Sequence, residues 1–211
     1  MGLLLGWQWL EENIMPLGAF KAALMGTAGV STADVVLLSD QDASNSTALT
    51  FSSGIDSTYG EYIFKFYNIN PATDSAKFQF QCNATDSTSY DETMTTTSFD
   101  VYHDEDDSTT NLVYVAGQDQ AQGDSPQYLA QTIGNAADES LVGELHLFNP
   151  ASTTYVKHFI AKVQFYHGVG NGTSVGSYTA GYINTTTAID DIKFYMDSGN
   201  FDGTIKMWGV K

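Results

Sequence analysis

Chemistry in this chain would have to come from acids, histidines or aromatic rings. The densest supply of acids is the run His103-Asp104-Glu105-Asp106-Asp107. Hard cations such as Ca²⁺ collect several oxygen ligands from one loop, so Asp104, Glu105, Asp106 and Asp107 form a candidate metal site. The run lacks the D-x-[DN]-x-[DN]-G spacing of a calcium loop, and contiguous acids also read as a solvated turn. No other cofactor is implied. The four histidines, His103, His146, His158 and His167, include no H-E-x-x-H or comparable ligand pair, and His146 in ELHLFN and His158 in VKHFIA read as strand residues. Glu61, Glu92, Glu139 and Glu144 would supply a glycosidase's acid and base, but in a chain this acidic some pair always qualifies. There is no G-x-S-x-G nucleophile elbow, and the Gly-rich GVGNGTS has neither the following helix nor the lysine of a phosphate cradle. These residues point away from an enzyme.

Aromatic residues are the remaining resource, at 13% of the chain with 12 tyrosines. Strands such as EYIFKFYN interleave them with polar groups. Exposed rings of this kind stack on sugars, while alternating aromatics on a sandwich also serve as core. The single Cys82, in KFQFQCN, reads as a small side chain on a strand.

The elements that would position these residues follow from hydrophobic period. From Ser31 onward the pattern alternates with period two. It predicts strands over 35–39, 47–51, 59–67, 77–82, 98–102, 141–148, 156–166 and 177–183, with fainter ones over 110–115 and 128–133. The chain closes on two strands carrying Ile189, Ile192, Phe194 and Met196, then Ile205, Met207, Trp208 and Val210. They are joined by DSGNFDG, whose Gly and Asn suit a tight turn, and together they read as a β-hairpin. Short strands separated by turn-rich GIDSTYG and NPATDSA fit an all-β fold, an antiparallel β-sandwich or jelly roll over 31–211. The helix-length amphipathic runs of a doubly wound α/β fold are missing.

Residues 1–30 differ. In MGLLLGWQWLEENI, Leu3, Leu4, Trp7 and Leu10 recur at helical spacing. In MPLGAFKAALMGTAG, Pro16 suits a first helical turn, and Phe20 and Leu24 share one face. This N-terminal helical segment either packs on its own domain or anchors the chain to another subunit. Its first stretch, 1–14, is too short and too acidic to span a membrane.

Charge narrows the partners. Twenty-five acids face 8 basic residues, all lysines, for a net charge of −17. Phosphate neutralisation needs clustered Lys or Arg, so nucleic acid is excluded as a partner.

The stretches MPLGAFKAALMG, SSGIDSTYGEYIFKFYNINPATD, LFNPASTTYVKHFIAK and the closing YINTTTAIDDIKFYMDSGNFDGTIKMWGVK resemble a group of uncharacterised structural proteins of tailed bacteriophages, marine ones especially. The resemblance covers most of residues 15–211 and is most specific in SGNFDGTIKMWGVK. It implies a non-enzymatic component of the virion surface, a decoration or fibre protein bound to capsid or tail proteins. Virion jelly rolls close into symmetric oligomers that cover apolar surface and sheet edges, here a homotrimer. The alternative is a carbohydrate-binding module that recognises host glycan at the tip of a fibre.

Overall fold

In EYIFKFY the side chains of Tyr62, Phe64 and Phe66 are buried, while Ile63 and Lys65 between them are half-exposed. That alternation, with β-branched and aromatic residues filling one face, is what holds a segment as a strand. It recurs throughout the computed structural model, which describes residues 34–168 and 172–211. Every helix or strand among them is a strand: β1 (Val35–Ser46), β2 (Leu49–Phe51), β3 (Glu61–Pro71), β4 (Ala76–Ala84), β5 (Met94–Asp104), β6 (Thr110–Tyr114) and β7 (Ala121–Gly123), then β8 (Gln127–Ile133), β9 (Leu141–Phe148), β10 (Lys157–His167), β11 (Thr173–Ile183), β12 (Ile189–Met196) and β13 (Phe201–Val210). The all-β expectation is met. The helical segment expected over 1–30 lies outside the described residues.

All pairings are antiparallel. One run goes β6-β5-β11-β10-β9-β3-β13-β1, with β7 beside β6 on the edge of β5. A shorter run goes β8-β4-β12-β2 and joins the first through the single pair His167↔Ile133. At the far ends β1 and β2 approach each other, so the sheet nearly closes into a barrel-like shape. The strand expected over 98–102 begins earlier, at Met94, and β1 runs on to Ser46.

The expected closing hairpin is not formed. β12 pairs with β4 and β2, β13 pairs with β3 and β1, and no ladder joins the two. Both strands carry one fully apolar face, and setting those faces toward each other across the core buries more than edge-to-edge pairing would. The connection crosses over instead of folding back. Gly199 takes φ +73° there, and a Cβ at that position would lie 2.3 Å from Thr73 Oγ1, so only glycine suits the turn. Asn200 Nδ2 then donates to Asn45 O at 2.9 Å, and Ala72 N donates to Asn200 O at 2.8 Å.

Phe194 of β12 is the hub of the core. Its ring lies 5.2 to 6.2 Å, centroid to centroid, from those of Phe51, Phe64, Phe66, Phe78 and Phe80. Burying each such ring stabilises the fold by roughly 1.5–3 kcal/mol, with a further increment for edge-to-face geometry. Cys82 lies buried in the same layer, and desolvation pushes its thiol up, which suits packing and not nucleophilic chemistry.

Candidate functional site

The acidic run is spread around a turn. Asp104 ends β5, where its Oδ1 accepts from Thr173 Oγ1 at 2.6 Å and its Oδ2 from Ser108 Oγ at 3.2 Å. Hydrogen bonds from Thr173, Thr109 and Ser108 hold its carboxyl below the usual range. Asp106 Oδ1 accepts from Ser108 N at 3.0 Å, and Asp107 meets His103 Nε2 at 2.9 Å. These carboxylates cap backbone and hydroxyl donors, and among the described residues no group of three or more His, Cys, Asp or Glu gathers to hold a metal.

Asp104 contributes instead to a cleft of about 590 Å³ between β5, β11, β10 and β8. Strand period places Asp100, Tyr102 and Asp104 on one face of β5. Opposite them stand Gln131 and Thr132 of β8, with Phe165 and His167 of β10 and Val175 of β11 completing the walls. Asp100 is half-buried. Desolvation raises its pKa, against the weaker opposing effects of a hydrogen bond from Ser177 and the charge of His167. Its Oδ1 is buried and has no hydrogen-bond partner. Thr132 adopts φ +61°, a left-handed conformation that β-branched residues avoid.

This polar character continues along the inner face of β5 and β11. Ser98 Oγ and Thr179 Oγ1 lie 2.9 Å apart, Thr96 Oγ1 donates to Gln127 Oε1 at 2.8 Å, and Gln127 Nε2 donates to Gln118 O at 2.7 Å. The outer face of the same strands is apolar. Phe99 and Tyr178 are 43% and 36% exposed with rings stacked at 4.9 Å, and edge strand β6 adds Leu112 at 65% and Tyr114 at 60%. Register sets these residues in one transverse row, Tyr114, Phe99, Tyr178, which continues as Lys162, Glu144, Lys65, Lys206 and Asp40 on the strands toward β1. Three of the eight residues are aromatic and the other five are charged, with Lys65 and Lys206 adjacent and Lys206 Nζ 2.7 Å from Asp40 Oδ2.

The four glutamates, His146 and Lys157 make local contacts. His146 Nδ1 lies 2.5 Å from Glu61 Oε1, and its Nε2 lies 3.5 Å from Glu144 Oε1, on the solvent side of β9 and β3. Glu139 Oε2 accepts from Ala136 N at 2.8 Å. Glu92 Oε1 accepts from Ala84 N at 3.2 Å, and burial raises its pKa. Lys157 is fully buried; its ammonium donates at 3.0 Å to the carbonyls of Tyr155 and Thr185, and desolvation lowers its pKa. None of the four glutamates lines the cleft.

Compared with known proteins, the chain matches no family model, no curated protein and no solved structure. Leu3, Leu4, Trp7, Leu10, Phe20 and Leu24, expected to anchor the chain, lie outside the described residues. Sequence reasoning missed the cleft residues Asp100, Tyr102 and Gln131. The available signal was TTTSFDVYHD, in which Thr96, Ser98 and Asp100 share the face of Asp104.

Proposed function

We propose that the chain is a non-enzymatic structural protein of a tailed-phage virion, a capsid decoration or fibre component displayed on the particle surface. Its β domain is a jelly-roll-like sandwich whose layers are the two runs of strands facing each other across the Phe194 core. Residues 1–30 anchor it to capsid or tail proteins, and the domain closes into a homotrimer. The virion assignment rests on the sequence resemblance. The observation that carries the assembly reading is the apolar outer face of β5, β6 and β11, where Phe99, Tyr178, Leu112 and Tyr114 stand in solvent. Contiguous exposed apolar area on an edge of a sheet is the mark of an interface.

The occupant we assign to that face is a second copy of this chain, on charge grounds. At a net −17 two copies repel, and the least repulsive approach is across the face where Lys162, Lys65 and Lys206 offset Glu144 and Asp40. A closed ring of three copies would cover edge strand β6 in each.

Light scattering on the full-length chain tests this. The expected mass is that of a trimer, falling to a monomer in Phe99→Asp/Tyr178→Asp with the thermal midpoint retained. A wild-type monomer at micromolar concentration, or a double variant that stays trimeric, overturns the assignment of this face.

A further inference from the structure

We infer that the cleft between β5, β11, β10 and β8 binds a neutral polyhydroxyl ligand, a sugar ring that stacks on Tyr102 and donates its hydroxyls to Asp100 and Gln131. This goes beyond the structural role, and it uses the inward face of β5, not the outward face assigned to assembly.

Size comes first. A cleft of about 590 Å³ falls within the roughly 300–1,000 Å³ typical of small-molecule sites, which combine apolar walls with a few placed polar groups. Phe165, Val175 and Tyr102 supply the apolar part, and Gln131, Thr132 and His167 the polar part.

Charge then selects the ligand class. No lysine or arginine lines the cleft and two aspartates do, so an anion would enter without a countercharge, against the field of an acidic chain. A chelated divalent cation is equally disfavoured. Asp100 and Asp104 are four residues apart on one strand, about 13 Å between Cα atoms at strand rise, and among the described residues no group of three or more His, Cys, Asp or Glu gathers to hold a metal. What fits a carboxylate on either side of an aromatic ring is a neutral donor of several hydroxyls with an apolar face, and that describes a pyranose.

The deciding observation is Asp100 Oδ1, a buried carboxylate oxygen without a hydrogen-bond partner. Buried acceptors are almost always satisfied, and leaving one unsatisfied is costly, so an orphan on a cleft wall marks a place for a ligand's donor. Thr132 adds an independent sign. Its φ of +61° is held by the surrounding pairing, in which Gly168 N donates to Thr132 O at 3.0 Å. Strain of this kind in a β-branched residue collects at ligand sites.

The test is saturation-transfer NMR followed by calorimetry on the full-length chain. The probes are glucose, galactose and N-acetylglucosamine, each to about 50 mM, with glucuronate and CaCl₂ alone as counter-probes. Saturable binding of at least one neutral sugar is expected, weakened about tenfold or more by Asp100→Ala and by Gln131→Ala. Gln131 is half-exposed, so its variant reads the site even if a change at Asp100 disturbs the fold. Absence of saturation by every neutral sugar overturns the inference. So does binding that survives both alanine variants, equal binding of glucuronate, or saturation by Ca²⁺. None of these results bears on the trimer, and a monomeric chain that still binds sugar would refute the assembly reading alone.

Discussion

Strands β3 and β13 send Tyr62, Phe64, Phe66, Ile205 and Met207 inward and Lys65 and Lys206 outward, whereas β5 and β11, in the same run of strands, send Ser98, Asp100, Ser177 and Thr179 inward and Phe99, Val101 and Tyr178 outward. The first arrangement is what burial of apolar area demands of a domain that stands alone. The second leaves polar groups on the buried face and apolar side chains in solvent, and it is on this inversion that the two proposals rest. One sheet thus divides into a half with an apolar inner face and a half whose inner face is polar and whose outer face is apolar.

The sharpest way to break this comparison is to remove one aromatic from each half. Phe194→Ala empties the space at the centre of five packed rings and should cost about 3–5 kcal/mol in urea unfolding. Phe99→Ala should change the stability of the dissociated chain by less than about 1 kcal/mol. Comparable losses at the two sites would mean that the apolar face of β5 belongs to the core after all.

A smaller effect probes the polar interior. Ser98 and Thr179 satisfy each other in a buried position 2.9 Å apart. Ser98→Ala or Thr179→Val alone strands one hydroxyl and should cost about 1–3 kcal/mol, while the double variant should lose less than the sum of the two, because neither orphan remains. Simple additivity in that double-mutant cycle would show that water already serves these groups, and the inner face of β5 would then be wet and not sealed.

These particular residues also explain what the sequence could disclose. Alternation placed the strands well, since Phe64, Phe80, Phe159 and Phe194 each mark a strand whose buried face is plainly apolar. Period two says which residues share a face but not which face looks inward. In TTTSFDVYHD the natural assumption turns Phe99 and Val101 to the core, and the fold does the opposite. The Asp104–Asp107 run was conspicuous by composition, yet its three aspartates are occupied by Thr173, Ser108 and His103. The cleft was invisible because it joins β5, β8, β10 and β11, residues 94 to 183, through pairings that local pattern does not encode. The same limit hid the separation of β12 from β13, which depends on which edges remain open once the other strands have paired.

The finest test lies within the cleft, where the pKa values of two aspartates on one face of β5 are shifted in opposite directions. Burial raises the pKa of Asp100 above that of an unfolded chain, so the folded state binds more protons between the two values and stability falls as pH rises through that window. At neutral pH the ionised Asp100 is a standing cost, absent below the ordinary carboxylate range. Asp100→Asn should therefore raise the thermal midpoint at pH 7 and leave it nearly unchanged in strong acid. Asp104 is held low by Thr173, Thr109 and Ser108, so its contribution is fully present above the ordinary range and lost as pH falls through the depressed value. Asp104→Asn should lower the midpoint at pH 7, with the difference closing in strong acid. A residue kept only for the fold would behave like Asp104. Melting curves of both variants from pH 3 to 8 measure the two contributions: a midpoint at pH 7 that drops in Asp100→Asn would return this carboxylate to a structural role.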